Sequence, residues 1–229
     1  MKTGLTTIFP EYFPSILTFR KIIRAGVVLV LDDRPIRSAR KINRMAIKTI
    51  DGRRYLTVPI SLSREDSPTI RNLHIDSTHP WHKKHHKSLL VNYKNAPYFE
   101  HYWPVFEPLF CRDYFSYMQL FQEVLSTLLS ILKIAPKLVY SSNLQLEGSR
   151  ESQILAVLQE ESCRSYLIET DSESYFDCSV LEKNDYSCEK ISIESMPYIQ
   201  QFQNFEPNLS VFDLLMNVGP EAKSFLLEK

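Results

Sequence analysis

The first 33 residues alternate between apolar and polar positions in a pattern that predicts a strand, a helix and a second strand. Residues 5–9 are typical of a short strand, and a continuous apolar run leads into Asp32 and Asp33, as in a strand buried on both faces. Between them, helical spacing is carried by Ile16, Phe19, Ile22 and Ile23. A strand, helix and strand within about 30 residues predict two parallel strands joined by a right-handed crossover.

The middle of the chain changes pattern. Asp51-Gly52 lies between two apolar stretches and predicts a β-hairpin over residues 45–60. Residues 69–76 indicate another short strand, and residues 81–94 a helix that begins after Pro80. The aromatic and proline-rich residues 98–110 predict a bent connector.

The last hundred residues return to alternating helices and strands. Residues 114–135 form the strongest helical pattern, and residues 137–170 predict a second strand–helix–strand unit. A final helix is expected between Ser210 and Gly219. We therefore predict an α/β fold, with a mostly parallel central sheet of βαβ units flanked by helices and a β-hairpin insertion, in a single domain over residues 1–229.

Composition restricts the function classes. Lys plus Arg and Asp plus Glu number 27 each, so the net charge of zero disfavours a nucleic-acid partner. The start of the chain lacks a signal-peptide pattern, and the apolar run from Ala25 to Leu31 is too short to span a bilayer. A cytoplasmic protein without an integral membrane segment is the expectation. The four cysteines form no CxxC pair, which predicts reduced thiols and no structural zinc.

Three histidines lie close together on the helix predicted after Pro80. His82 and His86 are four residues apart, as in some metal sites, but their neighbours are basic rather than acidic. A solvated basic face is therefore favoured, and we predict no metal and no cofactor. His85 lies on the same face as Trp81 and Leu89, either as a core histidine or as a general base in a cleft.

A basic segment follows the second predicted strand. Its cations suit an anionic ligand such as a nucleotide diphosphate or a carboxylate, and a solvated loop with salt bridges explains them equally well. The segment contains the candidate residues Asp33, Asn43, Arg44 and Lys48. Asn43 and Arg44 are the preferred pair, since no structural need for them is evident.

Two further segments hold polar candidates. In the final helix, Asn208 and Ser210 suit a cap and Asp213 suits the first turn, which leaves Asn217 free to face a cleft. Ser142 follows a predicted strand without a G-x-S-x-G motif, so helix capping and phosphate contact are both open.

The motifs YFPS, LDD, NRMAIKT-DG--YLTVPI, W--KHHKSL---YKNAPYF and PNLSVFDLLMNVG occur in this order along nearly the whole chain. In this they resemble the WbqC-like protein family. The resemblance implies a role in bacterial surface polysaccharide or O-antigen synthesis, with acyl or aminoacyl transfer to an amino sugar as one expected reaction. It points to a small-molecule or sugar-nucleotide substrate and to the residues Tyr12, Pro14, Asp33, Asn43, Arg44, Lys48, Thr57, Pro59, Trp81, His85, Tyr93, Pro97, Tyr98, Asn208, Ser210, Asp213 and Asn217.

Within this set, His85 is the expected general base, and Arg44 and Lys48 are expected to hold phosphates or the developing oxyanion. One departure from the resembled pattern is Ile168-Glu169, where a Ser-Gly turn is expected. It keeps open the alternative of a non-catalytic binding or scaffold protein of a cell-envelope pathway. A nucleotidyltransferase-like enzyme is a further alternative, which the βαβ opening and the serine-rich loop YSSNL suggest.

Overall fold

A computed structural model describes residues 4–36, 41–61, 68–170, 176–192 and 197–228. The chain forms two compact units. The sheet unit comprises residues 1–9, 17–32 and 136–194, and the hairpin unit comprises residues 10–16, 33–135 and 195–229.

Nine strands occur within the described residues. They are β1 (Gly4–Ile8), β2 (Val27–Val30), β3 (Arg44–Thr49), β4 (Gly52–Thr57), β5 (Ile60–Ser61), β6 (His74–Ile75), β7 (Lys137–Tyr140), β8 (Ser165–Glu169) and β9 (Ser187–Ile191). The α-helices of the same ranges are α1 (Ile16–Arg24), α2 (Trp81–Tyr93), α3 (Phe99–Phe106), α4 (Tyr117–Leu132), α5 (Arg150–Glu160), α6 (Cys178–Glu182), α7 (Val211–Val218) and α8 (Ala222–Leu227). None of these helices combines the length and apolar character that crossing a membrane requires.

The sheet unit is built on five parallel strands in the order β7-β2-β1-β8-β9. Chain order runs outward from β1 to β7 on one side and from β8 to β9 on the other. This is a doubly wound arrangement, in which the direction of winding reverses between two neighbouring strands. The predicted α/β class with a parallel central sheet is confirmed.

Helices cover both faces of this sheet because successive strand residues point to opposite sides. Tyr166 and Ile168 of β8 belong to a core with Val157 of α5 and Leu181 of α6. Leu167 lies between them in sequence and packs instead with Leu17 of α1 and Ile191. The apolar run of β2 is accordingly buried throughout, as a strand covered on both faces must be.

Two of the four cysteines form a disulfide in the sheet unit, which corrects the expectation of reduced thiols. Cys178 begins α6 and Cys188 lies in β9, and the short connection between these elements brings their Cα atoms to 5.9 Å. Cys111 and Cys163 are free. The sequence alone gave no sign of this pair because its cysteines lie in no recognised motif.

The hairpin unit contains the predicted hairpin, formed by β3 and β4 with Thr49 opposite Gly52. Its longest helix, α4, buries eight side chains and confirms the strongest helical pattern of the sequence. The expected strand over residues 69–76 is instead a 3-10 turn at Ile70–Asn72 followed by the two residues of β6.

The bent connector predicted for residues 98–110 was wrong. The segment forms α3 and a 3-10 turn at Glu107–Phe110, although Pro104 lies inside the helix. Proline in a helix interior removes a hydrogen bond and disfavours helix. Here the aromatic residues recur at helical spacing, and burial of Phe99, Trp103 and Phe106 outweighs that cost.

Candidate functional site

One face of α2 carries the first group of candidate residues into the interior of the hairpin unit. Trp81, His85, Leu89 and Tyr93 recur every four residues, and all four are buried. Their spacing places them on one stripe of the helix. The sequence pattern predicted that Trp81, His85 and Leu89 share one face, and their joint burial confirms it.

Tyr12 packs against the first turn of this stripe. Its ring lies 5.9 Å from Trp81 and 5.7 Å from His85, and the rings of Trp81 and His85 are 5.1 Å apart. The Tyr12 hydroxyl is 3.2 Å from His85 Nδ1, within hydrogen-bonding distance. Tyr12 is fully buried and His85 is 5% exposed, so this is a desolvated pair inside an aromatic enclosure.

His85 is held in its neutral form by this environment. Burial lowers its pKa from 6.5 to about 4, and a hydrogen bond with the Thr57 backbone only partly offsets that effect. Burial also raises the pKa of Tyr12 well above its usual value. At neutral pH the pair therefore consists of an uncharged imidazole and an uncharged phenol.

The β3–β4 hairpin connects Arg44 to this pair through Thr57. Arg44 is directly opposite Thr57 in the hairpin register, and Thr57 is the residue whose backbone bonds His85. The Arg44 side chain is exposed and lies 6.0 Å from the Tyr55 ring, as a cation–π partner. We call Tyr12, Arg44, Thr57, Trp81 and His85 the hairpin-base patch.

Asn43 has a structural role in the hairpin that was not evident from the sequence. Its side-chain amide donates to the Val58 backbone carbonyl at 2.8 Å, and the backbone carbonyl of Asn43 accepts from the Val58 backbone N–H. These bonds extend the hairpin by one residue pair beyond Arg44 and Thr57. Asn43 thus fixes the geometry beside Arg44, and its predicted contact with substrate stays a prediction.

A second polar group surrounds Asp213, further along the same stripe of α2. Asp213 accepts hydrogen bonds of 2.6 Å from the hydroxyls of both Tyr93 and Tyr198. Asn217 lies one turn later on α7, and its amide donates to the Asp213 backbone carbonyl and carboxylate. The Tyr93 hydroxyl in turn accepts from the Lys48 backbone N–H at 2.8 Å. We call these five residues the Asp213 network.

The negative charge of Asp213 is stabilised by the other members of the network. Burial raises the pKa of Asp213, while the donated hydrogen bonds and the charge of Lys48 oppose that increase. Burial and the neighbouring carboxylate raise the pKa of Tyr93 and of Tyr198. The Lys48 side chain is fully buried and its ammonium donates to the Asn204 carbonyl. The predicted role of Lys48 as a phosphate ligand stays a prediction.

Tyr98 packs where the chain leaves α7. Gly219 has a φ of +67°, and a Cβ at that position would lie 2.4 Å from the Tyr98 ring. Only glycine combines that backbone conformation with so close an approach. The Tyr98 backbone N–H also bonds to the Met216 carbonyl, so this tyrosine anchors the end of α7.

The remaining candidates are Asp33, Asn208 and Ser142. Asp33 forms an ion pair of 3.3 Å with its neighbour Arg34, and Asn208 adopts a left-handed φ of 47° before α7. Ser142 belongs to the sheet unit and donates to Asp32 at 2.7 Å. Asp32 also accepts from the Ser142 backbone N–H, so it caps the 3-10 turn that follows β7.

One contributor had no signal in the sequence, since Tyr198 reaches Asp213 from an irregular segment. Thr57, which the family resemblance indicated, acts on His85 through its backbone. His82 and His86 lie against Asp113 and Glu107, each with one carboxylate. Among the described residues, no group of three or more His, Cys, Asp or Glu is arranged to hold a metal ion.

The doubly wound sheet and the hairpin unit define an α/β protein with an inserted hairpin and helical region. Its residues 9–225 match the model of the WbqC-like protein family, and the chain belongs to that family. It is 28% identical over 186 residues to an uncharacterised protein of Mycobacterium tuberculosis strain H37Rv, Rv1507c, with 80% of each chain covered. No solved structure gives a significant match.

Proposed function

We propose that this WbqC-like protein is an enzyme of bacterial surface polysaccharide or O-antigen biosynthesis that transfers an acyl or aminoacyl group to the amine of an amino sugar. The observation that carries the proposal is the hairpin-base patch, in which the neutral imidazole of His85 lies beside aromatic rings. The backbone of Thr57 bonds His85, and Thr57 pairs with the exposed Arg44 in the hairpin. Such a combination suits a sugar that carries both an amine and a phosphate.

Acyl transfer to an amine requires loss of a proton. The amine nitrogen forms a bond to the acyl carbonyl carbon, the bond to the donor's leaving group breaks, and the nitrogen proton passes to a base. A neutral imidazole can accept that proton, whereas an imidazolium cannot. His85 is neutral at physiological pH because its pKa is about 4, and we assign it this role.

Substrate binding would adjust His85 for this task. A base is most effective when its pKa lies near the working pH, and about 4 is low for that purpose. Negative charge from a substrate phosphate bound beside the ring would raise the pKa of His85 towards neutrality. Trp81 and Tyr12 enclose the His85 ring and would hold it in position, and Arg44 would stabilise the developing oxyanion.

We expect Arg44→Ala to weaken binding of UDP-linked amino sugars by about tenfold or more, because a charge-assisted contact with phosphate is lost. The readout is the melting temperature with ligand present, since saturation at a hundred times the dissociation constant stabilises by about 2.7 kcal/mol. Arg54→Ala is the matched control, an exposed arginine of the same hairpin that pairs with Asp51. Equal shifts for wild type and both variants would remove Arg44 from the site.

A second candidate function is a non-catalytic binding protein of a cell-envelope pathway. The observation that favours it is the bonding of His85, which already has Tyr12 and the Thr57 backbone as partners. On this alternative the imidazole maintains the packing of α2 on the hairpin. Sugar binding without any turnover, by wild type and by His85→Gln alike, would support it.

A further inference from the structure

Backbone pairing between the two central strands of the sheet unit stops before either strand ends. β1 pairs with β8 only from Gly4 to Thr6, although β1 continues to Ile8 alongside β2. β8 pairs with β1 no further than Leu167, although it continues to Glu169 alongside β9. The ladder between them therefore ends two residues short of the end of each strand, at the carboxyl edge of the sheet. We call this break in the pairing the β1–β8 gap.

Charged and hydroxyl groups line the gap. Lys21 of α1 donates to the Thr7 carbonyl at 3.0 Å and forms an ion pair of 2.6 Å with Glu169. Its side chain is only 11% exposed, and that of Glu169 is 28% exposed. The Thr7 hydroxyl is 2.7 Å from the hydroxyl of Tyr166, whose ring packs in the core shared with α5.

The position of the gap in the sheet has a general significance. Chain order reverses between β1 and β8, which makes this the topological switch point. Open α/β sheets bind ligands outside the carboxyl ends of their strands at this point, because the connections of the two strands leave in opposite directions. Lysine side chains are normally exposed, so a mostly buried lysine at this point of the sheet is unusual.

We propose that the β1–β8 gap binds the terminal phosphate of a phosphorylated ligand, with Lys21 as the cation that holds it and Glu169 as the group that it displaces. The Glu169 carboxylate shows that an anionic oxygen fits at 2.6 Å from the Lys21 ammonium. A phosphate carries up to two negative charges and a carboxylate only one, so the phosphate competes well for a point charge such as lysine. The proposal is independent of the transfer reaction, since its residues all belong to the sheet unit.

Because Glu169 and the phosphate compete for Lys21, substitutions of Lys21 and Glu169 should have opposite effects on ligand binding. Lys21→Met removes the cation and should weaken binding of ADP at least tenfold, by loss of a charge-assisted contact. Glu169→Gln removes the competing carboxylate and should strengthen binding by about fivefold, the upper value of a partly exposed ion pair. Isothermal titration calorimetry with ADP measures both changes, and pyrophosphate and adenosine are titrated beside it.

A second ion pair of the same sheet provides the control. Lys137 opens β7 at the amino edge and lies 2.6 Å from Glu161, so Lys137→Met and Glu161→Gln remove the same chemistry at the other end. Both should leave ADP binding unchanged. Pyrophosphate binding that depends on Lys21 would assign the site to phosphate alone, and binding of ADP without pyrophosphate would assign it to a nucleotide.

Three results would overturn the proposal. They are the absence of ADP and pyrophosphate binding in both wild type and Glu169→Gln, an affinity that Lys21→Met leaves unchanged, and equal binding of adenosine. Circular dichroism of each variant reports whether it folds. If Lys21→Met does not fold, Glu169→Gln decides alone, and unchanged or weaker ADP binding in that variant overturns the proposal.

Discussion

Asp213→Ala should lower the free energy of unfolding by about 3–5 kcal/mol, the cost typical of removing one partner from a buried charged network. The substitution deprives the hydroxyls of Tyr93 and Tyr198 of their acceptor and removes a negative charge that interacts with the buried Lys48. Water cannot replace the carboxylate without opening the core, because Asp213, Tyr93 and Lys48 are fully buried. Urea denaturation at neutral pH measures the loss.

One further variant separates the loss of hydrogen bonds from the loss of charge, and a second one is a surface control. Asp213→Asn keeps an oxygen that accepts from a tyrosine but removes the charge, so it should cost less than Asp213→Ala. Asp113→Ala changes an aspartate whose side chain is 88% exposed and should alter stability by about 0.5 kcal/mol or less. A loss below about 1 kcal/mol for Asp213→Ala would show that the network contributes little to folding.

Acidification should destabilise the wild type through His85. Its pKa is about 4 in the folded protein and near 6.5 in the unfolded chain, so only the unfolded chain takes up the proton between these values. The corresponding stability is fully present above pH 6.5 and is lost as the pH falls towards 4. By pH 4.5 the loss should be roughly 2–3 kcal/mol, from 1.36 kcal/mol per pKa unit.

His85→Gln tests this assignment because glutamine can bond Tyr12 but does not titrate. The free energy of unfolding is measured between pH 7 and 4.5, and the variant should lose roughly 2–3 kcal/mol less than the wild type. His101→Gln makes the same substitution at an exposed position of α3. If wild type and His85→Gln lost stability in parallel, the assignment of a neutral, buried imidazole to His85 would be wrong. The proposed role of His85 as the base would then be wrong as well.

The sequence was most informative where local spacing decides structure. The four-residue repeat from Trp81 to Leu89 placed His85 on the inner face of α2, and Asp51-Gly52 placed the turn of the hairpin. The apolar run of β2 indicated a strand covered on both faces. These features depend on periodicity and turn chemistry, which a single sequence contains.

Long-range contacts were beyond such reasoning. The Tyr12–His85 bond joins residues 73 positions apart, and Tyr198 approaches Asp213 from a segment without periodicity. The Cys178–Cys188 bond depends on how α6 meets β9, and α3 depends on aromatic packing that outweighs its proline. In each case tertiary packing overrode or supplied what local propensity could not. The prediction of one domain over residues 1–229 stays a prediction.

Product mass is the most direct test of the proposal that His85 accepts a proton during transfer to an amino sugar. Purified protein is incubated with UDP-linked amino sugars and either acyl-coenzyme A thioesters or amino acids with ATP, and mass spectrometry follows the sugar. We expect the wild type to add an acyl group in place of one amine hydrogen, and His85→Gln to do so roughly 10²–10⁴ times more slowly while still binding the sugar. Equal rates in wild type and His85→Gln, or no added mass with any donor, would contradict it.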